Sequence, residues 1–427
     1  MDRQITGAHG ASDWERKVLP LREQSRVQYG WLRHRLETVL PEIMRREGFD
    51  AWIVAGREYN EDPALLTLLP PTAISARRRT ILLFFLRPDG GVERLSLSRA
   101  GSGHDELHRG VWDQFKEEQW EAVARLVREH DPKRVGVNVS STFAFGDGLS
   151  HSEHEELFRA LGPDLASRTA GAERLAVGWL ERRTALELEA YPGIVEMVHG
   201  IIAEAFSSAV VHPGVTTCSD VSWWMRQRMH DLGLSAWFHP SVSAQRQGVA
   251  DLDPDEVVRP GDVLHCDAGF YYLGLATDCQ QLAYVLRPGE IDAPPGLNAA
   301  LRAGNDLQDI LAGECVLGRT GNQILAASLE KMRAAGIDGS IYTHPIGYHG
   351  HGAGPTIGLY DHQEGVPGRG EYELFNDTCH AMELNAKTAV PEWGGQMVRA
   401  ALEEDIVFAD GKLGFLDGRQ TSFHLIR

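Results

Sequence analysis

The stretch that decides the fold is Val263-Leu264-His265-Cys266-Asp267-Ala268-Gly269, followed by Ala276-Thr277-Asp278-Cys279 and the apolar run to Leu286. Arg259-Pro260-Gly261-Asp262 is a turn signal ahead of it. The two apolar runs read as strands joined by a glycine-containing turn. Asp267 and Asp278 are 11 residues apart (278 − 267). In a hairpin that spacing can place both carboxylates on one face, opposite each other. Adjacent carboxylates repel unless a cation lies between them. Oxygen ligands suit a hard or borderline divalent ion. The plainer reading is two aspartates bonded to backbone amides at strand ends.

Downstream, Tyr342-Thr343-His344-Pro345-Ile346-Gly347-Tyr348-His349-Gly350-His351-Gly352-Ala353-Gly354 places three histidines among glycines. Ile357-Gly358-Leu359-Tyr360-Asp361-His362 adds a fourth. Glycine permits close backbone approach to a ligand, and neutral imidazole is a common metal donor. A single buried histidine is usually a satisfied core residue, but four in one glycine-rich stretch call for more. Met382-Glu383-Leu384-Asn385 and Ala401-Leu402-Glu403-Glu404-Asp405-Ile406 complete an ordered series of Asp, Asp, His, Glu, Glu.

This series resembles the metallopeptidase family of methionine aminopeptidase, aminopeptidase P, prolidase and creatinase. The resemblance spans about Thr184 to Phe408 in the correct order. It implies an α+β "pita-bread" catalytic domain over residues 176–427. It also implies a creatinase-type α/β domain over residues 1–175, closest to the Xaa-Pro peptidase branch. By resemblance, Asp267, Asp278, His351, Glu383 and Glu404 hold two divalent metal ions. Manganese is expected first, with cobalt, zinc or iron as alternatives. Glu383 would also shuttle a proton, and His362 and His344 would contact substrate. Cleavage of a peptide bond by a metal-bridging hydroxide follows from that assignment.

The sequence also departs from the family pattern. The spacing from His351 to His362 is 11 (362 − 351), longer than usual, with extra residues around Pro355-Thr356. His349 therefore competes with His351 as the ligand. Leu384-Asn385 follows Glu383 where Pro-Gly is usual, Cys279-Gln280-Gln281 follows Asp278, and Leu402 replaces an arginine. No histidine lies about 17 residues before Asp267; His239 is 28 before it (267 − 239). These departures touch the substrate surroundings more than the metal series. Three readings follow: an Xaa-Pro aminopeptidase or dipeptidase, a non-peptide C–N hydrolase or lyase acting on a small zwitterion, and a binding module that kept the fold. His265, two residues before Asp267, shares its face as a neighbour or an extra contact, and Cys266 and Cys279 are expected to point away into the core.

The N-terminal half reads as scaffold. Val27–Glu47 and Glu118–Glu129 have helical spacing. Ala51–Ala55, Thr80–Leu86, Val92–Ser98 and Arg134–Val139 read as strands, with Pro88-Asp89-Gly90-Gly91 turning a hairpin. Thr184-Ala185-Leu186-Glu187 matches a helix-opening capping box, with the helix running to about Ala209. No phosphate-binding glycine loop is present.

Composition narrows the class. The chain has 427 residues, 43% hydrophobic and 24% charged, and a net charge of −18. That excess of acid argues against nucleic acid as a partner. No apolar run is long enough to span a membrane. The opening MDRQITGAHGASDWERK lacks the apolar core of a secretory leader. Five cysteines without a close pair argue for a reducing cytoplasm rather than a disulfide framework. The expected partner is a small peptide or other small molecule, and the resemblance implies a homodimer.

Overall fold

The computed structural model describes residues 14–99 and 101–427; the polar opening segment lies outside the described residues. The chain divides into two compact units, one formed by residues 22–187 with 352–354, the other by the remainder.

The first unit is an α/β layer. Its strands are β1 (Ala51–Arg57), β2 (Arg79–Leu86), β3 (Val92–Ser96), β4 (Arg109–Gly110), β5 (Val135–Val137) and β6 (Thr169–Gly171). They form one sheet in the order β4-β3-β2-β1-β5-β6. Its helices are α1 (Leu21–Glu47), α2 (Pro63–Leu68), α3 (Gln119–His130), α4 (His151–Ala166) and α5 (Glu173–Glu181). Strand faces carrying Ile53, Leu83 and Val135 bury against Val123, Val127, Leu157 and Leu161 of α3 and α4. These strands are buried on both faces, as their unbroken apolar runs demand. α1 starts six residues earlier than its periodicity suggested, at Leu21 rather than Val27.

The chain continues through α6 (Ala185–Ala205), α7 (Cys218–Asp231), β7 (Ser235–Ala236), β8 (Ser241–Gln245), β9 (Val263–Ala268), β10 (Phe270–Tyr272), β11 (Leu275–Ala276) and β12 (Cys279–Val285). Helices α8 (Pro295–Glu314) and α9 (Gly321–Ala334) follow, then β13 (Asp338–Ile341), β14 (His344–Ile346), β15 (Thr378–Val390), β16 (Gln396–Ala409), β17 (Lys412–Phe415) and β18 (His424–Ile426). The capping box is present: the Glu187 carboxylate accepts from the Thr184 amide at 2.7 Å, and the Thr184 hydroxyl accepts from the Glu187 amide at 3.3 Å. α6 ends four residues short of the expected Ala209.

The central path of the large sheet is β13-β15-β16-β12-β9-β8. One face is apolar and covered by helix: Met382, Leu384 and Ile406 pack with Leu307, Leu311, Leu325 and Leu329 of α8 and α9. Side chains alternate along a strand, so the residues between these point to the opposite, polar face. The hairpin read from sequence is β9 to β12, tipped by β10 and β11. Leu273 (φ 53°) and Gly274 (φ 78°) form its turn, a conformation that glycine adopts without strain. Among the described residues no helix is long and apolar enough to cross a membrane.

Candidate metal centre

Strand register builds the site. Asp267 of β9 pairs with Gln280 of β12, Gln280 pairs with Glu403 of β16, and Glu403 pairs with Glu383 of β15. Four polar residues thus stand in one row across four strands. Asp278 precedes Gln280 by two residues and shares its face. It is a diagonal neighbour of Asp267 and not its direct partner, because Ala268 pairs with Cys279. From β14, His344 Nε2 reaches Asp278 Oδ2 at 3.5 Å and Glu403 Oε1 at 3.3 Å. The ligand atoms of Asp278, His344 and Glu403 lie within 4.8 Å of one another, all buried.

The electrostatics call for a cation. Burial, reinforced by Glu403, pushes the Asp267 carboxyl up to about 8. Burial and Glu403 raise Asp278 well above the usual carboxylate range. Burial and the Glu383 charge raise Glu403 to about 7. Burial also raises Glu383. Burial pushes His344 down, but its bonds to Asp278 and Glu403 outweigh that and raise it well above its ordinary value. Asp267 Oδ1 and Asp278 Oδ1 are buried without a hydrogen-bond partner among the described residues. A buried carboxylate oxygen left unpaired is costly. An oxygen-rich set with one imidazole fits divalent cations, so the donor chemistry agrees with a metal centre.

Neighbouring residues fix this set. Gln280 Nε2 donates to Glu383 Oε1 and to Glu403 Oε2, each at 2.8 Å. Gln280 Oε1 lies 2.8 Å from His265 Nε2. His265 is therefore an orienting neighbour, and burial lowers it to about 4, so it is neutral at pH 7. The glycine of Asp-Ala-Gly is required by packing: a Cβ on Gly269 would sit 2.2 Å from the Thr277 carbonyl oxygen and 2.6 Å from Trp237 Nε1. A Cβ on Gly350 would meet the Trp237 ring at 2.3 Å.

The structure does not bring all the site residues expected from sequence together. Asp267, Asp278 and Glu383 share the polar face. Glu404 does not: it points to the opposite face, where its Oε2 lies 2.7 Å from His199 Nε2, and Glu403 is the glutamate that stands on the shared face. Two adjacent acids in a strand face opposite ways, so a one-residue register decides between them. His351 is also displaced from the carboxylates. Its ring lies 4.8 Å from the His344 ring and 5.2 Å from Trp237, centroid to centroid, and His344 occupies the imidazole position beside Asp278 and Glu403. The cause is local: β14 pairs His344 with Ala381, two residues from Glu383, and the chain leaves the sheet after Ile346. His362 is half exposed, bonds Asp361 at 2.9 Å and makes no bond to the cluster. No motif singles out Gln280 or Glu403; the alternation Asp278, Gln280 is the signal in the sequence that points to Gln280.

The model of metallopeptidase family M24 matches residues 194–407, and the chain belongs to that family. Its fold is the pita-bread fold preceded by an α/β domain. An X-Pro aminopeptidase from Thermotoga maritima is similar at 16% identity and a TM-score of 0.64, covering 90% of this chain and 99% of that one. An Xaa-Pro dipeptidase from Bacillus anthracis is similar at 15% identity and a TM-score of 0.59, covering 94% and 100%. The N-terminal domain of the FACT complex subunit SPT16 from chickpea is similar at 12% identity and a TM-score of 0.54, covering 95% and 98%. No curated protein matches the sequence.

Proposed function

We propose that this chain is a metal-dependent peptidase acting on short Xaa-Pro substrates through two divalent cations, manganese first among them. The observation that carries this reading is the convergence of Asp267, Asp278, His344, Glu383 and Glu403 on one buried face. Asp278, Glu403 and His344, whose ligand atoms lie within 4.8 Å of one another, would hold the cations together with Asp267. When bound, the cations supply an activated water and polarise the scissile carbonyl.

Glu383 holds and returns the proton. Burial already raises its pKa, which suits a carboxyl that must take a proton and release it to the leaving amine. Gln280 Nε2 fixes the Glu383 carboxylate for that transfer. His351, lowered to about 4 mainly by burial, is neutral and is offered to substrate beside Trp237 and Tyr342. Five cysteines, all free and buried, support a reducing cytoplasm. A homodimer is proposed on the family resemblance alone.

A second reading keeps the cations and changes the bond broken, to a C–N bond of a small zwitterion. Gln280 supports it, because its amide, bonded to both glutamates, alters the surroundings of the proton-carrying carboxyl. The metal-dependent peptidase reading is tested by Asp278→Asn with metal analysis: cations and peptide hydrolysis are lost together. Hydrolysis surviving in cation-free protein would overturn it.

A further inference from the structure

On the apolar, helix-covered side of the same sheet, one polar cluster stands apart. His199 of α6, Cys279 at the start of β12 and Glu404 of β16 bring one ligand atom each within 4.8 Å of one another. Alternation along the strands puts Cys279 and Glu404 on the face opposite Gln280 and Glu403, so this cluster shares no side chain with the centre described above. Tyr191, on the same helix as His199, anchors α6 to the hairpin by donating to the Ala276 carbonyl at 2.6 Å.

We infer that His199, Cys279 and Glu404 form a separate single-ion site for a thiophilic divalent cation of the zinc type. His199 Nε2 lies 3.6 Å from Cys279 Sγ and 2.7 Å from Glu404 Oε2. Tetrahedral zinc, with a Zn–S distance of about 2.3 Å and a Zn–N distance of about 2.0 Å, gives an S–N edge of roughly 3.5 Å. The sulfur and nitrogen therefore already stand at the required separation, and the His–Glu pair needs only to open by about half an ångström. The outer contacts a metal histidine needs are also in place. His199 Nδ1 lies 2.8 Å from Asp417 Oδ2, which fixes the ring with Nε2 inward. The other Glu404 oxygen accepts from the Gln420 amide at 2.9 Å and from Gln281 Nε2 at 3.2 Å. A cavity of about 330 Å³ lined by His199, Gln281, Asp417, Arg419, Gln420 and His424 opens on the His199 side of the cluster and has room for a fourth, exchangeable ligand. Binding releases two protons to solvent, one from the Cys279 thiol and one from His199 Nε2, which faces Glu404 while Nδ1 faces Asp417, and leaves a neutral imidazole donating through Nδ1–H to Asp417. This inference does not depend on the peptidase reading, because the two clusters use different side chains.

The test is cobalt spectroscopy with metal counting on the full chain. Cobalt added to metal-stripped protein is expected to give a near-ultraviolet thiolate-to-cobalt charge-transfer band. C279S abolishes the band and lowers the bound metal by one ion per chain, and H199Q weakens cobalt binding at that site at least tenfold. The double variant D278N/E403Q keeps the band while losing the other ions. A folded wild-type protein without the band, or a band unchanged in C279S, would overturn the inference. Zinc competing with cobalt for the band supports the zinc-type assignment; magnesium displacing it as readily would overturn that assignment.

Discussion

Glu383 and Glu403 stand directly opposite each other across β15 and β16, and one amide nitrogen, Gln280 Nε2, lies 2.8 Å from an oxygen of each. Two acids placed this way with Asp267 and Asp278 alongside form a site whose charge must be neutralised from within. Their chemistry follows from register: each is a same-face residue on a neighbouring strand.

The first expected outcome concerns the adjacent glutamates. Glu403→Gln should lose front-face cations and reduce turnover on the order of 100-fold or more. Glu404→Gln should retain those cations, because its side chain is on the other face. Metal analysis of both variants against wild type checks this, and the reverse pattern would reassign the ligand.

The histidines separate in the same way. His344→Ala removes the imidazole that lies beside Asp278 and Glu403, and is expected to weaken metal binding by about 10- to 100-fold. His351→Ala should leave metal affinity near wild type and raise KM for substrate. Metal titration paired with steady-state kinetics distinguishes them; unchanged affinity in His344→Ala would count against the placement.

The contrast between these pairs shows what the sequence made legible. The α/β organisation, the hairpin from Val263 to Val285 and the helix opened by Thr184 were readable, because each rests on local periodicity or a local cap. Asp267, Asp278 and Glu383, singled out by their motifs, do share one face. Glu403 against Glu404 was not, because strand register is set by partners more than a hundred residues away. His344 against His351 was not, because a glycine-rich segment carries no periodicity to show where it leaves the sheet. His199 has no neighbouring motif, and only the docking of α6 brings it to Cys279 and Glu404.

Stability of the N-terminal unit should depend on one buried ion cluster. Glu187 accepts from Arg35 Nη1 at 2.9 Å and Arg183 Nη1 at 3.0 Å, with all three side chains fully buried. Glu187→Ala leaves two buried guanidinium groups without their carboxylate and should cost about 3–5 kcal/mol. Denaturant unfolding of the purified variant reads this directly. A loss below about 1 kcal/mol, the range of an exposed pair, would contradict it.

Acid sensitivity has an identifiable contributor in the same unit. His108 is buried, its Nε2 lies 2.7 Å from the Leu68 carbonyl oxygen, and burial lowers its pKa from 6.5 to about 4. The folded state then keeps it neutral while the unfolded chain protonates below 6.5. Its contribution is present above pH 6.5 and is lost as pH falls through about 4. A shift of this size corresponds to about 3 kcal/mol. His108→Gln should flatten the fall in unfolding free energy between those pH values; an unchanged slope would exclude the residue as a source.

The most direct test of the central claim is hydrolysis of matched Xaa-Pro and Xaa-Ala dipeptides and tripeptides by metal-stripped protein, before and after reloading with manganese. The stripped protein should show no turnover, and reloading should restore turnover with preference for the Xaa-Pro members. Full metal occupancy without hydrolysis of any peptide in the panel would contradict the peptidase assignment and favour the small-zwitterion reaction.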